Sequence, residues 1–139
     1  MFGSEKRRAA LWADAVTQLN AGKLTIQQFV NLNEKRTLWY STPFGTDIRT
    51  GRERPYALSR ADLDTLFLPA FTSAEACTRH FESVGRDGFL VIKGTLKDAL
   101  ASLDAHPVIA SWGVVVDPGE ADSVCIPPRV RVQPKALRD

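Results

Sequence analysis

The stretch from residue 67 to 127 constrains the fold most, because β-rich runs alternate there with capped helical runs. Strand-like runs occupy residues 66–71, 88–93, 109–116 and 123–126, and a helical run follows each of the first two. Strand–helix–strand connections of this length favour parallel strands and right-handed crossovers. The last two runs are separated by Asp117-Pro118-Gly119, which is typical of a tight turn, and therefore predict an antiparallel hairpin. The pattern predicts a single α/β domain, bordering on α+β, with a mixed sheet, two crossover helices and N-terminal helices packed on it.

Threonine followed three residues later by an acidic or amide residue marks the start of three helices. In such a capping box each side chain satisfies a free backbone N–H of the other residue. The pairs are Thr25 with Gln28, Thr72 with Glu75, and Thr95 with Asp98. The second helix is expected to reach Val84 and the third Asp104, with Gly94 turning the chain before the third. The predicted core comprises Leu66, Phe71, Phe81, Leu90, Ile92, Leu100, Ile109, Trp112, Val114 and Val116.

An amphipathic helix is predicted over residues 5–21, ahead of the α/β pattern. Apolar residues recur there at intervals of three and four and form one stripe, made of Leu11, Trp12, Ala15, Val16 and Leu19. A helix of this length is marginal alone in water, so its stripe must pack on its own core or on that of a second copy, and a homodimer is one expectation. The expected divisions are a helical extension at 1–24, a domain at 25–128 and an extended basic tail at 129–139.

Length and composition predict one ordinary globular domain. The chain has 139 residues, of which 44% are hydrophobic and 24% charged. No apolar run approaches the ~18 residues needed to span a bilayer, and no secretory signal is recognisable, so no membrane association is expected. Two cysteines, Cys77 and Cys125, and no such signal predict reduced thiols in a cytoplasm, with a disulfide between the two as the alternative.

The formal net charge of +2 conceals a segregation of charge along the chain. Residues 61–126 contain four Lys and Arg against ten Asp and Glu, whereas the rest of the chain contains fourteen against six. The middle is therefore acidic and the flanks are basic. The charges can be spread over a solvated surface, or the flanks can dock on the acidic part, within one chain or between two.

The order of short motifs resembles a known family. Leu38-Trp39-Tyr40 precedes Pro43, and the later strings are Leu68-Pro69-Ala70-Phe71-Thr72-Ser73-Ala74-Glu75, Gly113-Val114-Val115-Val116-Asp117-Pro118-Gly119 and Val124-Cys125-Ile126-Pro127. Over roughly residues 26–128 this pattern resembles the SseB protein N-terminal domain family of bacterial proteins. The resemblance implies a bacterial protein and brings no catalytic residues with it.

Residues 44–60 combine arginines with aromatic residues and show no secondary-structure period, so they are predicted to form a long loop. Basic side chains among aromatic ones suit a phosphate ligand or single-stranded nucleic acid, but Asp47 and Glu53 dilute the charge, and nucleic acid is not the expected partner. A solvated charged loop and a site for an anion or an acidic partner both remain open. The predicted interaction surface comprises Trp12, Trp39, Tyr40, Phe44, Arg49, Arg52, Arg54 and Tyr56.

No arrangement of residues predicts catalysis, a cofactor or a metal. Cys77 and His80 lie three apart on a predicted helix and could share a metal, but a closed zinc site needs four ligands, so packing of Cys77 in the core is expected. The sequence contains neither a glycine-rich phosphate loop nor a nucleophile elbow. The favoured hypothesis is a non-enzymatic module that binds another protein. The alternative is a small-molecule or anion-binding domain that uses residues 44–60.

Overall fold

The computed structural model describes residues 2–41, 44–46, 53–60, 63–85 and 89–137, which form a single α+β domain. The helices are α1 (Phe2–Asn20), α2 (Ile26–Leu32), α3 (Ala74–Ser83) and α4 (Leu96–Asp104), followed by a 3₁₀ turn (Lys135–Leu137). The strands are β1 (Thr37–Tyr40), β2 (Phe44–Thr46), β3 (Glu53–Pro55), β4 (Leu58–Arg60), β5 (Leu63–Phe71), β6 (Ile92–Thr95), β7 (Gly113–Val116) and β8 (Val124–Ile126). Among the helices so described, none is long and apolar enough to cross a bilayer.

The main sheet is mixed, which confirms the predicted fold class. Its strand order is β6-β1-β5-β7-β8, and β4 also pairs with β5. Only β5 and β7 run parallel as neighbours, while the other pairs are antiparallel. The crossover through α3 does not place β6 beside β5, because β1 already occupies that position; β6 pairs with β1 instead.

Helices cover both faces of the sheet. Successive side chains of a strand point to opposite faces, so Leu38 and Tyr40 of β1 join the larger core while Trp39 joins a smaller one. The larger core lies under α1, α2 and α4, and the smaller core lies under α3. All four residues of β7 are buried, so both faces of this apolar strand are covered.

Helix α1 packs on the core of its own chain. Trp12 and Val16 are buried, and the Trp12 ring meets the edge of Phe29 in α2 with 5.3 Å between ring centroids. The predicted capping box at the start of α2 is confirmed: Gln28 N donates to Thr25 Oγ1 at 3.1 Å and Thr25 N donates to Gln28 Oε1 at 2.8 Å. The apolar stripe of α1 was expected to pack either on its own core or on that of a second copy, and the structure shows it on its own core.

The prediction of a structureless loop over residues 44–60 is wrong in its described parts. Strands β2 and β3 pair as a two-stranded ribbon, and β4 pairs with β5. These strands are three residues long, too short to show a period, and β4 is stabilised by a partner that only the tertiary fold supplies.

Strand β5 is longer and more central than predicted. A proline within a strand is typical of an edge position or a strand end, yet Pro69 lies between β7 on one side and β1 and β4 on the other. The proline is tolerated because it falls in the gap between those two strands: β1 pairs with Ala70 and Phe71, and β4 pairs with residues up to Phe67.

The next two strands are also shifted from their predicted positions. Strand β6 begins only at Ile92, and Gly94 lies inside it rather than turning the chain. Strand β7 begins at Gly113, because the chain turns repeatedly after α4. Leu66 and Leu90, both predicted in the core, are exposed.

The N-termini of α3 and α4 differ in whether the predicted capping box forms. At α4 it is confirmed, because the Thr95 side chain accepts from Asp98 N and the Asp98 side chain accepts from Thr95 N. At α3 the predicted cap is wrong by one residue, because Ser73 caps the helix by accepting from Ala76 N at 3.1 Å. Thr72 instead donates through its backbone N and its Oγ1 to the carboxylate of Asp117, at 2.9 and 2.7 Å.

The basic tail does not fray over its described residues, 129–137. It is extended but docked, with Val130 and Val132 packed against the larger core. Arg131 forms a forked pair with Asp104 of α4, its Nε and one terminal nitrogen lying 3.0 and 3.1 Å from the two carboxylate oxygens. A basic flank therefore does dock on the acidic part of the same chain.

Candidate interaction surfaces

Two residues of the predicted surface, Trp39 and Tyr56, meet in the smaller core. Both are half-buried against Phe71 and Phe81, and the ring of Tyr56 lies 5.3 Å from that of Phe81. The Lys93 ammonium lies 5.8 Å from the centroid of the Trp39 ring, within reach of a cation–π interaction. We call Trp39, Tyr56, Phe71, His80, Phe81 and Phe89 the aromatic cluster.

The aromatic cluster holds a hydrogen-bonded pair of ionisable side chains. The Tyr56 hydroxyl lies 2.7 Å from His80 Nε2, and burial lowers the pKa of His80. Burial raises the pKa of the neighbouring Cys77 to about 11, so its sulfur is a thiol near neutral pH rather than the thiolate that attacks a substrate or binds a metal. Cys77 and Cys125 are not joined in a disulfide. Within the described ranges no group of three or more His, Cys, Asp and Glu side chains could hold a metal ion.

Trp12 and Tyr40 are core residues, so their assignment to a contact surface is corrected. Trp12 is 4% exposed and Tyr40 is 6% exposed. Burial, and secondarily the carboxylate of Asp98, raise the pKa of Tyr40. A Cβ at Gly94 would lie 2.8 Å from the Tyr40 hydroxyl oxygen, which explains a glycine in the middle of strand β6.

The other predicted surface residues belong to the segment 44–60. Phe44 and Arg54 lie on the paired strands β2 and β3, where Phe44 is opposite Pro55 and Arg54 is opposite Gly45. Arg49 and Arg52 lie outside the described residues. The structure thus brings Trp39 and Tyr56 together, while a common surface formed with the arginines stays a prediction.

A surface that the sequence did not single out lies between α1 and the connection from α2 to β1. A depression of about 260 Å³ is lined there by Leu11, Leu32, Asn33, Lys35, Arg36 and Thr37, and we call it the basic groove. Leu32 is 71% exposed and Leu11 is 54% exposed. Leu11 belongs to the apolar stripe predicted for α1. The pattern of α2 gave no clear signal for Leu32, because it follows buried Phe29 by three residues and a helix places such residues on the same face.

Hydrogen bonds fix the backbone beneath the basic groove. The side chain of buried Asn33 donates to Phe29 O at 2.9 Å, and Asn33 N donates to the same oxygen at 3.0 Å, so that α2 ends in a defined turn. Arg36 N then donates to Asn33 O at 2.9 Å, and Arg36 O accepts from Leu96 N at 2.9 Å. Leu32 therefore lies next to a turn whose backbone is held by hydrogen bonds.

The groove lies directly beside Trp12. The Arg36 guanidinium carbon is 5.6 Å from the centroid of the Trp12 ring and covers part of it. The indole Nε1 of Trp12 is buried and finds no hydrogen-bond acceptor among the residues that the structure describes. A second depression, of about 300 Å³, is more polar and has no cation in its lining, which consists of Ser59, Asp64, Thr65, Leu66, Ser111 and Trp112.

No protein-family model, curated protein or solved structure matches this chain. The resemblance to the SseB N-terminal domain family therefore stays a prediction.

Proposed function

We propose that this chain is a non-enzymatic protein-interaction module and that it binds its partner through the basic groove. The observation that carries the proposal is the pair of leucines, Leu11 and Leu32, exposed around one depression. Single exposed leucines are ordinary, whereas apolar side chains that share a depression are typical of binding sites. Covering one such side chain would stabilise a complex by roughly 1.5–3 kcal/mol before the costs of association.

Charge indicates what kind of partner fits the basic groove. Lys35 and Arg36 line it, and Lys6, Arg7 and Arg8 precede Leu11 in the sequence of α1. A partner segment that presents aliphatic side chains flanked by carboxylates would bury the leucines and complement the cations. Complementary charge of this kind accelerates encounter and selects the partner more than it adds affinity.

The cellular location and the family of the protein are part of the same proposal. We infer a bacterial protein of the cytoplasm, related to the SseB N-terminal domain family. The sequence motifs between residues 38 and 127 support the family, and two cysteines that form no disulfide with each other support a reducing compartment.

Substitutions at matched exposed positions test the proposed groove. The variant Leu32→Glu places a carboxylate in the groove, and Val108→Glu places the same group at a similarly exposed residue in the connection from α4 to β7. A tagged chain purified from its native cells should retain its partner as wild type and as Val108→Glu, and should lose it as Leu32→Glu. Equal recovery with all three proteins would contradict the proposal.

The aromatic cluster supports a second candidate function, the binding of a small anion. Trp39 and Tyr56 are half-buried there, and Lys93 supplies a cation next to the indole. Inorganic phosphate and a nucleoside monophosphate should then raise the melting temperature of wild type by several degrees but not that of Lys93→Gln. A rise that is identical in Lys93→Gln, or no rise in either protein, would count against this second function.

A further inference from the structure

The chain reverses direction after β8 through a turn that its sequence does not favour. Val130 N donates to Pro127 O across 3.4 Å, with Pro128 at the second position of the turn and Arg129 at the third. Arg129 has φ of +72°, in the left-handed region. A turn with proline second and a positive φ third normally has glycine or asparagine at the third position, because a Cβ is strained there.

Contacts between the tail and two helices hold this turn closed. Gln27 Nε2 of α2 donates to Arg131 O at 2.7 Å. Asn31, one turn further along α2, accepts from Gln133 N at 3.0 Å, and its Nδ2 lies 3.3 Å from Gln133 Oε1. Together with the fork of Arg131 on Asp104, these contacts define a binding site for an extended basic segment, which we call the tail site.

Every contact of the tail site joins the segment beyond Arg129 to the body of the domain. A tail from a second copy could make the same hydrogen bonds, the same ion pair and the same packing of Val130 and Val132. The two arrangements differ at the hinge of Pro127, Pro128 and Arg129, where an extended chain would release Arg129 from its left-handed conformation. Such exchange of an identical segment is a low-cost route to a dimer, because it needs no new interface.

We propose that the basic tail is exchanged between two copies of this chain, so that residues 130–137 of each occupy the tail site of the other. The partner is a second copy and the contact is two-fold symmetric, with Arg131 of one copy on Asp104 of the other. The exchanged dimer coexists with the closed monomer in a concentration-dependent equilibrium that the strain at Arg129 shifts toward the dimer.

Substitutions at residue 129 shift this equilibrium in opposite directions. Arg129→Gly removes the strain of the closed turn. For a left-handed residue this strain corresponds to about a tenfold change in the equilibrium constant for opening one hinge. Since the dimer opens two hinges, its dissociation constant should rise about a hundredfold above that of wild type. Arg129→Pro fixes φ near −65°, which is incompatible with the closed turn, so this variant should be dimeric at concentrations where wild type is largely monomeric. Sedimentation equilibrium measures the dissociation constant of the dimer for wild type and for both variants.

Cross-linking identifies the contact that forms the dimer. Asn31→Cys and Gln133→Cys are made in separate chains, both carrying Cys125→Ala, and are mixed with a short bis-maleimide. Because the two side chains touch only across the tail site, a covalent heterodimer forms only if the tail of one chain occupies the site of another. Glu120→Cys, on the exposed turn before β8, replaces Asn31→Cys as the control for random collision.

The expected result is a heterodimer that increases with concentration, is enhanced by Arg129→Pro, is suppressed by Arg129→Gly and is absent with Glu120→Cys. The exchange is refuted if wild type and Arg129→Pro both remain monomeric. It is refuted equally if a dimer forms but the pair at 31 and 133 cross-links no more than the control pair. If Arg129→Pro does not fold, the comparison of wild type with Arg129→Gly still tests the proposal. An equal dissociation constant for the dimers of these two proteins would contradict a strained hinge.

Discussion

At the scale of single residues, close packing sets the identity of several positions that composition alone leaves free. The backbone at Gly113 is covered by Phe67 and lies against Ile126, so that strands β7 and β8 and the ring of Phe67 meet without room for another atom. Glycine at this position could not be explained from the sequence, since both of its neighbours in space are distant along the chain.

Replacing Gly113 with alanine should destabilise the domain strongly. The new Cβ would collide with the carbonyl oxygen of Ile126 and approach the Phe67 ring to 2.8 Å, and backbone atoms cannot move away easily. We expect a loss of roughly 3 kcal/mol in the free energy of unfolding, the upper end of the usual effect of overpacking. Urea denaturation measures it. Gly119→Ala is the control, because no atom lies near its added Cβ and only its φ of +83° opposes the substitution, by about 1 kcal/mol. An equal loss in both variants would contradict the crowding.

Replacing Trp12 with phenylalanine should change stability very little. The smaller ring leaves a cavity that costs about 1 kcal/mol, but the substitution also removes a buried N–H without an acceptor, which offsets that cost by about 1 kcal/mol, the lower end of the usual penalty for such a group. Chemical denaturation should therefore show a change within about 1 kcal/mol. Trp112→Phe is the comparison, because Trp112 is similarly buried, whereas among the described residues the buried side-chain donor without an acceptor is Trp12 Nε1. A loss above about 2 kcal/mol for Trp12→Phe would show that its indole does have an acceptor.

At the scale of elements, local signals succeed where the chain satisfies itself within a few residues. The capping boxes that begin at Thr25 and Thr95 could be predicted because both partners lie three residues apart. Thr72 showed the same spacing, but its hydroxyl binds Asp117, forty-five residues away. The short strands β2, β3 and β4 escaped prediction for the same reason, since their stability depends on partners across the fold.

The bond between Thr72 and Asp117 should couple the start of α3 to the turn between β7 and β8. Thr72→Val removes the hydroxyl donor, and Asp117→Asn removes the charge while keeping a residue that tolerates the observed φ of +50°. Each single variant should lose about 1–2 kcal/mol in the free energy of unfolding, and the double variant should lose less than their sum by about 1 kcal/mol. Strictly additive losses in urea denaturation would show that the two side chains do not interact.

At the scale of the whole molecule, the segregation of charge left open whether the basic flanks dock on the acidic part or the charges are spread over a solvated surface, and the fork of Arg131 on Asp104 is one docking contact. The candidate site was less accessible to prediction. Trp39 and Tyr56 could be selected as aromatic residues near basic ones, but Trp12 and Tyr40 looked equally suitable until the fold buried them. The basic groove depends on where α2 ends relative to α1, which no local pattern determines.

Removing the N-terminal helix should expose the larger core, because Trp12 and Val16 lie over Phe29 and its neighbours. We expect deletion of residues 1–22 to cause aggregation or a large fall in the melting temperature. Deletion of residues 1–8 is the control, since it retains Trp12 and Val16. A protein lacking residues 1–22 that keeps its mass in light scattering and its melting temperature would show that α1 does not cover the core.

Site-specific photo-cross-linking in the native cells measures whether a partner protein contacts the basic groove. A photoreactive phenylalanine analogue replaces Leu32 in one protein and Val108, which is also exposed, in another. We expect a discrete adduct from position 32 that excess wild-type chain suppresses and excess Leu32→Glu does not, with no such adduct from position 108. The same adducts from both positions, or none from position 32, would contradict it.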